Sequence, residues 1–308
     1  DNDNPHALFT GDTLFVGDVG RPDLSSGNLS SEELAGIMYD TIQNKILPLA
    51  DDIIVYPAHG AGSSCGKNLG PNTFSTIGEE KKTNYALQPQ SREAFITAVT
   101  DGLTTAPKYF AVNAHINMEG YESLDQVKQQ GLTPLSIAAF KKLVAEDAII
   151  VDTRHADVFT QGFVPGAIFI GLEGRFAEWA GALLPFDKPM VLVTEAGKEE
   201  ETVIRLSRVG FDKMQGYLKG GYAAWVKAGE KTDMIIDVEA DELAMDIPHD
   251  PNLVVIDVRR EAEYAGGHVK DALNIPLNDM TDIALIADFE EKQNLYVHCA
   301  GGYRSVIA

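Results

Sequence analysis

Leu295-Tyr-Val-His-Cys-Ala-Gly-Gly-Tyr-Arg-Ser-Val-Ile-Ala308 is the stretch on which the fold turns. Its apolar, β-branched start predicts a buried strand. A six-residue loop from Cys299 to Arg304 then leads into helix at Ser305-Val-Ile-Ala308. Cys299 therefore stands where a strand hands over to a helix. Ala300, Gly301 and Gly302 are small enough for successive backbone N–H groups to curl around the sulfur, and the positive end of the following helix points at the same place. Such a cradle stabilises an anion, so the thiol is expected to ionise more readily than a free one. A lone cysteine ending a strand is usually a small buried hydrophobe. The glycines and the cation of Arg304 favour a reactive one here.

Upstream lies Val255-Ile-Asp-Val-Arg-Arg-Glu-Ala-Glu-Tyr-Ala-Gly-Gly-His-Val-Lys-Asp-Ala-Leu-Asn-Ile-Pro276. Together the two segments resemble the rhodanese family of sulfurtransferases. They present, in the family's order, an Asp-x-Arg strand end (Asp257, Arg259), a Glu-x-x-x-Gly-His turn and a cysteine cradle. The resemblance implies that Cys299 carries one sulfur atom as a persulfide and that Ala300, Gly301, Gly302 and Tyr303 form its cradle. It also implies that Arg304 faces an anionic donor and that Asp257 and Arg259 support the motif. Related phosphatases, which bind a bulkier tetrahedral phosphate, use a cradle one residue longer.

At 308 residues the chain is long for one domain, and two or three compact units are expected. Hydrophobic residues make up 44%, enough for packed cores. A formal net charge of -21 argues against nucleic acid and against an anionic membrane surface as partners. The two cysteines, Cys65 and Cys299, are far apart and both lie in glycine-rich loops, so a disulfide framework is not expected. A reducing, cytoplasmic compartment fits. No run of about twenty apolar residues suits a membrane span.

At the other end, Ala7-Leu-Phe-Thr10 predicts a strand delivering Asp12, and Ser30-Ser-Glu-Glu33 reads as a capping box. Leu34, Ile37, Met38, Ile42, Ile46 and Leu47 follow at helical spacing, and Ile53-Ile-Val-Tyr56 is a second buried strand running into His59. Glu79-Glu-Lys-Lys82 reads as a solvated helix face, Ser91 to Val99 as an amphipathic helix, and polar Glu119 to Gln130 as a connection. The motifs Phe9-Thr-Gly-Asp-Thr-Leu-Phe15, Gly20-Arg-Pro-Asp23 and Val55-Tyr-Pro-Ala-His-Gly60 resemble the C-terminal half of the metallo-β-lactamase fold. Within that superfamily they look most like the persulfide dioxygenases, whose iron is held by two histidines and one aspartate. Asp12 matches the aspartate; taken alone, it would be a turn residue bonding nearby N–H groups. The His-x-His-x-Asp-His signature that supplies the histidines is absent from this sequence, so a fragment of a longer protein is expected. His59 is assigned beside the metal or substrate. Arg21 is either an anchor for an anionic thiol substrate or a solvated surface residue. The glycine-rich stretch Gly60 to Gly70 suits a lid, and its Cys65 is either a thiol meeting sulfane sulfur or incidental.

An internal repeat follows. Ile149-Ile-Val-Asp-Thr-Arg154 parallels Val254-Val-Ile-Asp-Val-Arg259, and Gly162-Phe-Val-Pro-Gly-Ala167 parallels Gly267-His-Val-Lys-Asp-Ala272. In the first copy, Val191-Leu-Val-Thr-Glu-Ala-Gly-Lys-Glu-Glu-Glu-Thr202 replaces the cradle, with Glu195 expected where Cys299 falls. A carboxylate cannot carry sulfane sulfur.

The expected fold is α/β. Residues 1–125 form the C-terminal part of a metallo-β-lactamase-like αββα sandwich, 131–231 a rhodanese-like module without the catalytic cysteine, and 235–308 a truncated module bearing Cys299. The resemblances imply Fe(II), one per metallo-β-lactamase-like domain, with Zn as the alternative. They imply dioxygen-dependent oxidation of a small thiol persulfide to sulfite, with Cys299 making or using thiosulfate, in sulfide and sulfane-sulfur metabolism. Joining the two activities would let sulfite be captured where it forms. The alternatives are a glyoxalase II-like thioester hydrolase fused to rhodanese modules and a non-catalytic sulfur-relay scaffold. The thiol carrier and oligomeric state stay open, a homo-oligomer included.

Overall fold

The computed structural model describes residues 5–24, 29–61, 63, 65–67, 69–103, 108–287 and 289–308. Two compact units, Asp1–Ala114 and His115–Ala308, divide the chain.

The first unit contains β1 (Ala7–Gly11), β2 (Leu14–Phe15), β3 (Asp18–Val19), α1 (Ser31–Thr41), β4 (Ile54–Pro57), β5 (Ser75–Thr76), α2 (Ile77–Thr83) and α3 (Arg92–Thr100). Strand β1 runs parallel to β4, β5 adds antiparallel to β4, and β2 with β3 makes a hairpin. The Ser30 capping box forms as its sequence predicts. The Ser30 hydroxyl accepts the Glu33 N–H at 3.2 Å, and the Glu33 carboxylate accepts the Ser30 N–H at 2.7 Å. Leu14, Ile42, Val55, Ile77 and Phe95 share one core; of the six apolar residues predicted from α1 onward, Ile37 is the exposed one.

Two sequence-based expectations fail here. Glu80 is fully buried instead of solvated. Its carboxylate accepts from the Gly17 N–H (3.0 Å), the Ser75 hydroxyl (2.6 Å) and the Asn84 amide (2.8 Å). Two nearby donors and the Gly17 N–H, 63 residues away, converge on it, which the local charge pattern does not reveal. The expected connection at Glu119 to Gln130 is largely helical: α4 (Lys108–Glu119) is followed by α5 (Leu124–Gly131), capped by Ser123 and Gln126. That helix buries only Val127 and Gly131, so its sequence reads as polar throughout.

The second unit continues with β6 (Pro134–Leu135), α6 (Ile137–Ala145), β7 (Ile149–Asp152), α7 (Ala156–Thr160), β8 (Ala167–Phe169), α8 (Phe176–Leu183), β9 (Met190–Val193), α9 (Glu199–Ser207), β10 (Met214–Leu218) and α10 (Gly221–Lys227). The sheet order is β6-β10-β9-β7-β8, and every pairing is parallel. All four residues of β9 are buried, as expected of a central strand covered on both faces. After α11 (Ala240–Asp246) come β11 (Leu253–Asp257), α12 (Glu261–Ala265), β12 (Leu273–Asn274), α13 (Ile283–Ile286), β13 (Asn294–His298) and α14 (Tyr303–Ile307). They form a second parallel sheet, ordered β12-β11-β13.

The repeat seen in the sequence is repeated in hydrogen bonds. Arg154 grips Asp152 and donates to the Gly162 carbonyl at 2.9 Å; Arg259 grips Asp257 and donates to the Gly267 carbonyl at 2.7 Å. Strand register corrects one expectation. Asp152 lies opposite Val193 and Asp257 opposite His298, so Thr194, not Glu195, occupies the place of Cys299, and Glu195 matches Ala300. The left-handed glycines agree: Gly197 (φ 84°) and Gly302 (φ 86°) occupy equivalent positions. The first copy still lacks a sulfur nucleophile, because a threonine hydroxyl cannot carry sulfane sulfur.

Candidate functional site

Cys299 follows β13, and α14 begins four residues later. The turn between them requires Gly302, whose positive φ a side chain would strain. Within this loop Cys299 is half-buried, and burial by itself pushes its thiol pKa up. Backbone hydrogen bonds from Gly301, Ser305 and Arg304, together with the Ser305 hydroxyl, outweigh that and hold it below the ordinary thiol value. The Ser305 hydroxyl lies 3.7 Å from Sγ and 2.8 Å from the Gly302 carbonyl, and its single proton serves one or the other. Reading the sequence for glycines and the cation passes over Ser305, whose signal is a hydroxyl in the first turn of the helix that closes the cradle.

Alkylation gives a direct check. The rate at Cys299 is expected to rise with pH and level off below the range of an unperturbed cysteine, because only the thiolate reacts. Iodoacetamide labelling across pH, followed by mass spectrometry of the Cys299 peptide, measures this. A midpoint at or above that of free cysteine would mean that burial wins.

Arg304 does not simply face outward toward a donor. It makes two 2.8 Å bonds to the Glu263 carboxylate, which hold the Glu263 carboxyl down at about 2. Glu263 belongs to the Glu-x-x-x-Gly-His turn, so this pair joins two of the recognised motifs across the sheet. Beneath them, burial would raise the Asp257 pKa. The Arg259 guanidinium and N–H lower it overall, with His298 contributing in the same direction. The His298 Nε2 atom is buried without a hydrogen-bond partner among the described residues, 3.5 Å from an Asp257 oxygen.

Tyr303 reaches into the first copy. Its hydroxyl donates to the Gly171 carbonyl at 2.9 Å, and its ring meets Phe169 edge-on at 6.0 Å. A cleft of about 820 Å³ opens beside Gly301, Gly302 and Tyr303, with Thr153, His155, Glu173 and Glu195 on the opposite wall. The Glu195 carboxylate accepts the His155 N–H at 3.0 Å. In this copy the first helical turn after the loop carries Glu199, Glu200 and Glu201, so side-chain carboxylates already meet the helix's positive end.

In the first unit, β1 and β4 lie side by side with Gly11 opposite Pro57, so both strands release their chains at the same edge. Asp12 and His59 consequently meet, with Nε2 3.3 Å from Oδ1. Cys65 joins them: one ligand atom from each residue lies within 4.8 Å of the others. Carboxylate oxygen, imidazole nitrogen and thiol sulfur are a donor set that fits a divalent transition metal. Gly20 is needed here because a side chain at that position would run into the Asp12 carbonyl. Arg21 is buried and bonds Asp23 at 3.0 and 2.6 Å, while its backbone N–H donates to the Cys65 carbonyl. Its charge is committed locally, in contrast to a solvated arginine. Of the expected lid, residues 62, 64 and 68 lie outside the described residues. No described helix is long and apolar enough to cross a membrane.

The chain is 36% identical over 83 residues to the hydroxyacylglutathione hydrolase GloC of Haemophilus influenzae, covering 27% of this chain and 31% of that protein. A solved metallo-beta-lactamase from Staphylococcus aureus subsp. aureus COL superposes with a TM-score of 0.56 at 30% identity, covering 71% of this chain and 59% of that one. The uncharacterized protein YibN of Escherichia coli strain K12 is 34% identical over 92 residues, 29% of this chain and 62% of YibN. This chain thus spans less than two thirds of each of these relatives. The fold is α/β, combining part of a metallo-β-lactamase-like domain with rhodanese-like modules. The rhodanese-like domain profile matches residues 136–228 and 239–308, more than half of the sequence, and with Cys299 seated in its loop the chain belongs to the rhodanese-like domain family.

Proposed function

We propose that this protein carries sulfane sulfur on Cys299 and couples that transfer to oxidation of a small thiol persulfide in the metallo-β-lactamase-like domain. The observation that carries the first half is the Cys299 loop, where converging N–H groups lower the thiol pKa despite burial. In the transfer step the Cys299 thiolate attacks the outer sulfur of thiosulfate, the sulfur–sulfur bond breaks and sulfite leaves. Cys299 is left as a persulfide anion, and the total charge is unchanged. The reverse step consumes sulfite and releases thiosulfate. Loop N–H groups stabilise the sulfur anion in both directions, while Arg304, oriented by Glu263, lies beside Cys299.

Asp12 is the proposed metal ligand, with His59 and Cys65 beside it. A ferrous ion there would supply redox chemistry with dioxygen, so that persulfide, dioxygen and water yield thiol, sulfite and two protons. The second reading is thioester hydrolysis with zinc. It is favoured by the likeness to a hydroxyacylglutathione hydrolase and by a soft sulfur donor in the cluster. Dioxygen uptake with glutathione persulfide, set against release of thiol from S-lactoylglutathione by the same preparation, separates the two. Uptake of one dioxygen per sulfite formed is the expected result, and hydrolysis without uptake would overturn it in favour of the second reading.

A further inference from the structure

The copy without a cysteine touches the loop that has one. Tyr303 is the first residue of α14, the helix whose opening turn brings Arg304 and Ser305 to the sulfur. Its hydroxyl bonds the Gly171 carbonyl and its ring abuts Phe169, both in the first copy. Phe169 is itself buried and packs at a tilt against Phe159, ring centroids 4.8 Å apart, so the seat is part of a packed core. Burial pushes the Tyr303 phenol up to about 12, so it stays protonated and donates the hydrogen bond throughout the neutral range.

We propose that Tyr303 is a positioning residue for Cys299 and that the first rhodanese-like module is the jaw that holds it. The chemistry follows from the chain path. Gly302, with its left-handed backbone, is the last point at which the loop can rotate before the helix begins at Tyr303. Fixing Tyr303 against the other module fixes the direction of the next two N–H groups, which must converge on sulfur. A module that lost its own nucleophile thereby keeps a role in its neighbour's reaction. This inference rests on the reading of Cys299 as the sulfur carrier.

The test uses the full chain and two variants, Tyr303→Phe and Phe169→Leu, with Cys299 alkylation followed by peptide mass spectrometry across pH. Thiosulfate-to-cyanide transfer and thermal unfolding are measured in parallel. Tyr303→Phe is expected to raise the alkylation midpoint and lower kcat about fivefold, the factor one ordinary hydrogen bond is worth, with KM for thiosulfate unchanged. Phe169→Leu, which alters the first copy's side of the Tyr303 contact, should shift the midpoint in the same direction. Wild-type midpoints in Tyr303→Phe and Phe169→Leu would overturn the proposal, even if unfolding temperatures fell. If the unaltered chain transfers no sulfur, the reading of Cys299 fails instead, and the alkylation midpoints still judge the clamp.

Discussion

Replacing Cys299 by Ser is expected to abolish thiosulfate-dependent sulfur transfer while leaving oxidation of a small persulfide intact. A serine hydroxyl is not ionised near neutral pH, and oxygen cannot hold sulfane sulfur. No second nucleophile can take over within the tandem modules, because Thr194 occupies the equivalent position in the first. The loss should therefore be complete, not partial. The metal-ligand cluster belongs to the other compact unit and includes neither Cys299 nor its loop. With persulfide and dioxygen supplied, the product should switch from thiosulfate to free sulfite. Chromatography of both anions reads this out, corrected for the spontaneous reaction of sulfite with persulfide. An unchanged thiosulfate yield would rule out Cys299 as the transfer residue.

The second large effect is expected at Asp12. Substitution by alanine removes the only oxygen donor from the group of Asp12, His59 and Cys65. Loss of partners that merely support a ligand commonly weakens metal affinity about tenfold to a hundredfold, so loss of a ligand should weaken it by at least as much. Metal content by elemental analysis, and competition with a chromophoric chelator for cobalt, measure this without relying on turnover. Fold damage should be small. The Asp12 side chain is mostly exposed, and the backbone carbonyl packed against Gly20 is kept by the substitution. Undiminished metal in a folded Asp12→Ala protein would place the ligands elsewhere.

On the proposed reading, sulfur transfer would draw on both an ionised Cys299 thiol and the Arg304–Glu263 pair. Glu263 has a depressed carboxyl pKa near 2, so the pair's contribution is fully present above the ordinary carboxylate range and is lost as pH falls toward 2. The pair is partly exposed, which keeps its effect on stability small. Above that acidic range the Cys299 titration, displaced downward from the ordinary thiol value, is the one expected to shape activity, not this pair.

Much of the site was legible because the relevant groups are close in sequence. The Cys299 loop places sulfur and N–H donors within a few residues of one another, so glycine content and the strand-to-helix change suffice to read it. The same holds for the Ser30 capping box, a four-residue device, and for Asp257 and Arg259, two positions apart on one strand end. Asp12 and His59 became candidates because each follows a predicted strand, although nothing local stated that the two strands are neighbours.

What the sequence alone determined is the chemistry carried by short segments: a cysteine in an N–H cradle, two copies of an Asp-x-Arg strand end, and an aspartate and a histidine delivered by strands. The tertiary structure decided which distant groups meet. Strand pairing assigned Thr194 to the place expected for Glu195, and the remote Gly17 N–H joins two nearby donors on the buried Glu80 carboxylate. Arg304 was turned onto Glu263 across the sheet, and Tyr303 was bonded to a carbonyl 132 residues away. The physical reason is range. Hydrogen-bond geometry in a loop follows from its own dihedral angles, whereas burial and ion pairing depend on chain segments brought together only when the sheets close over their cores.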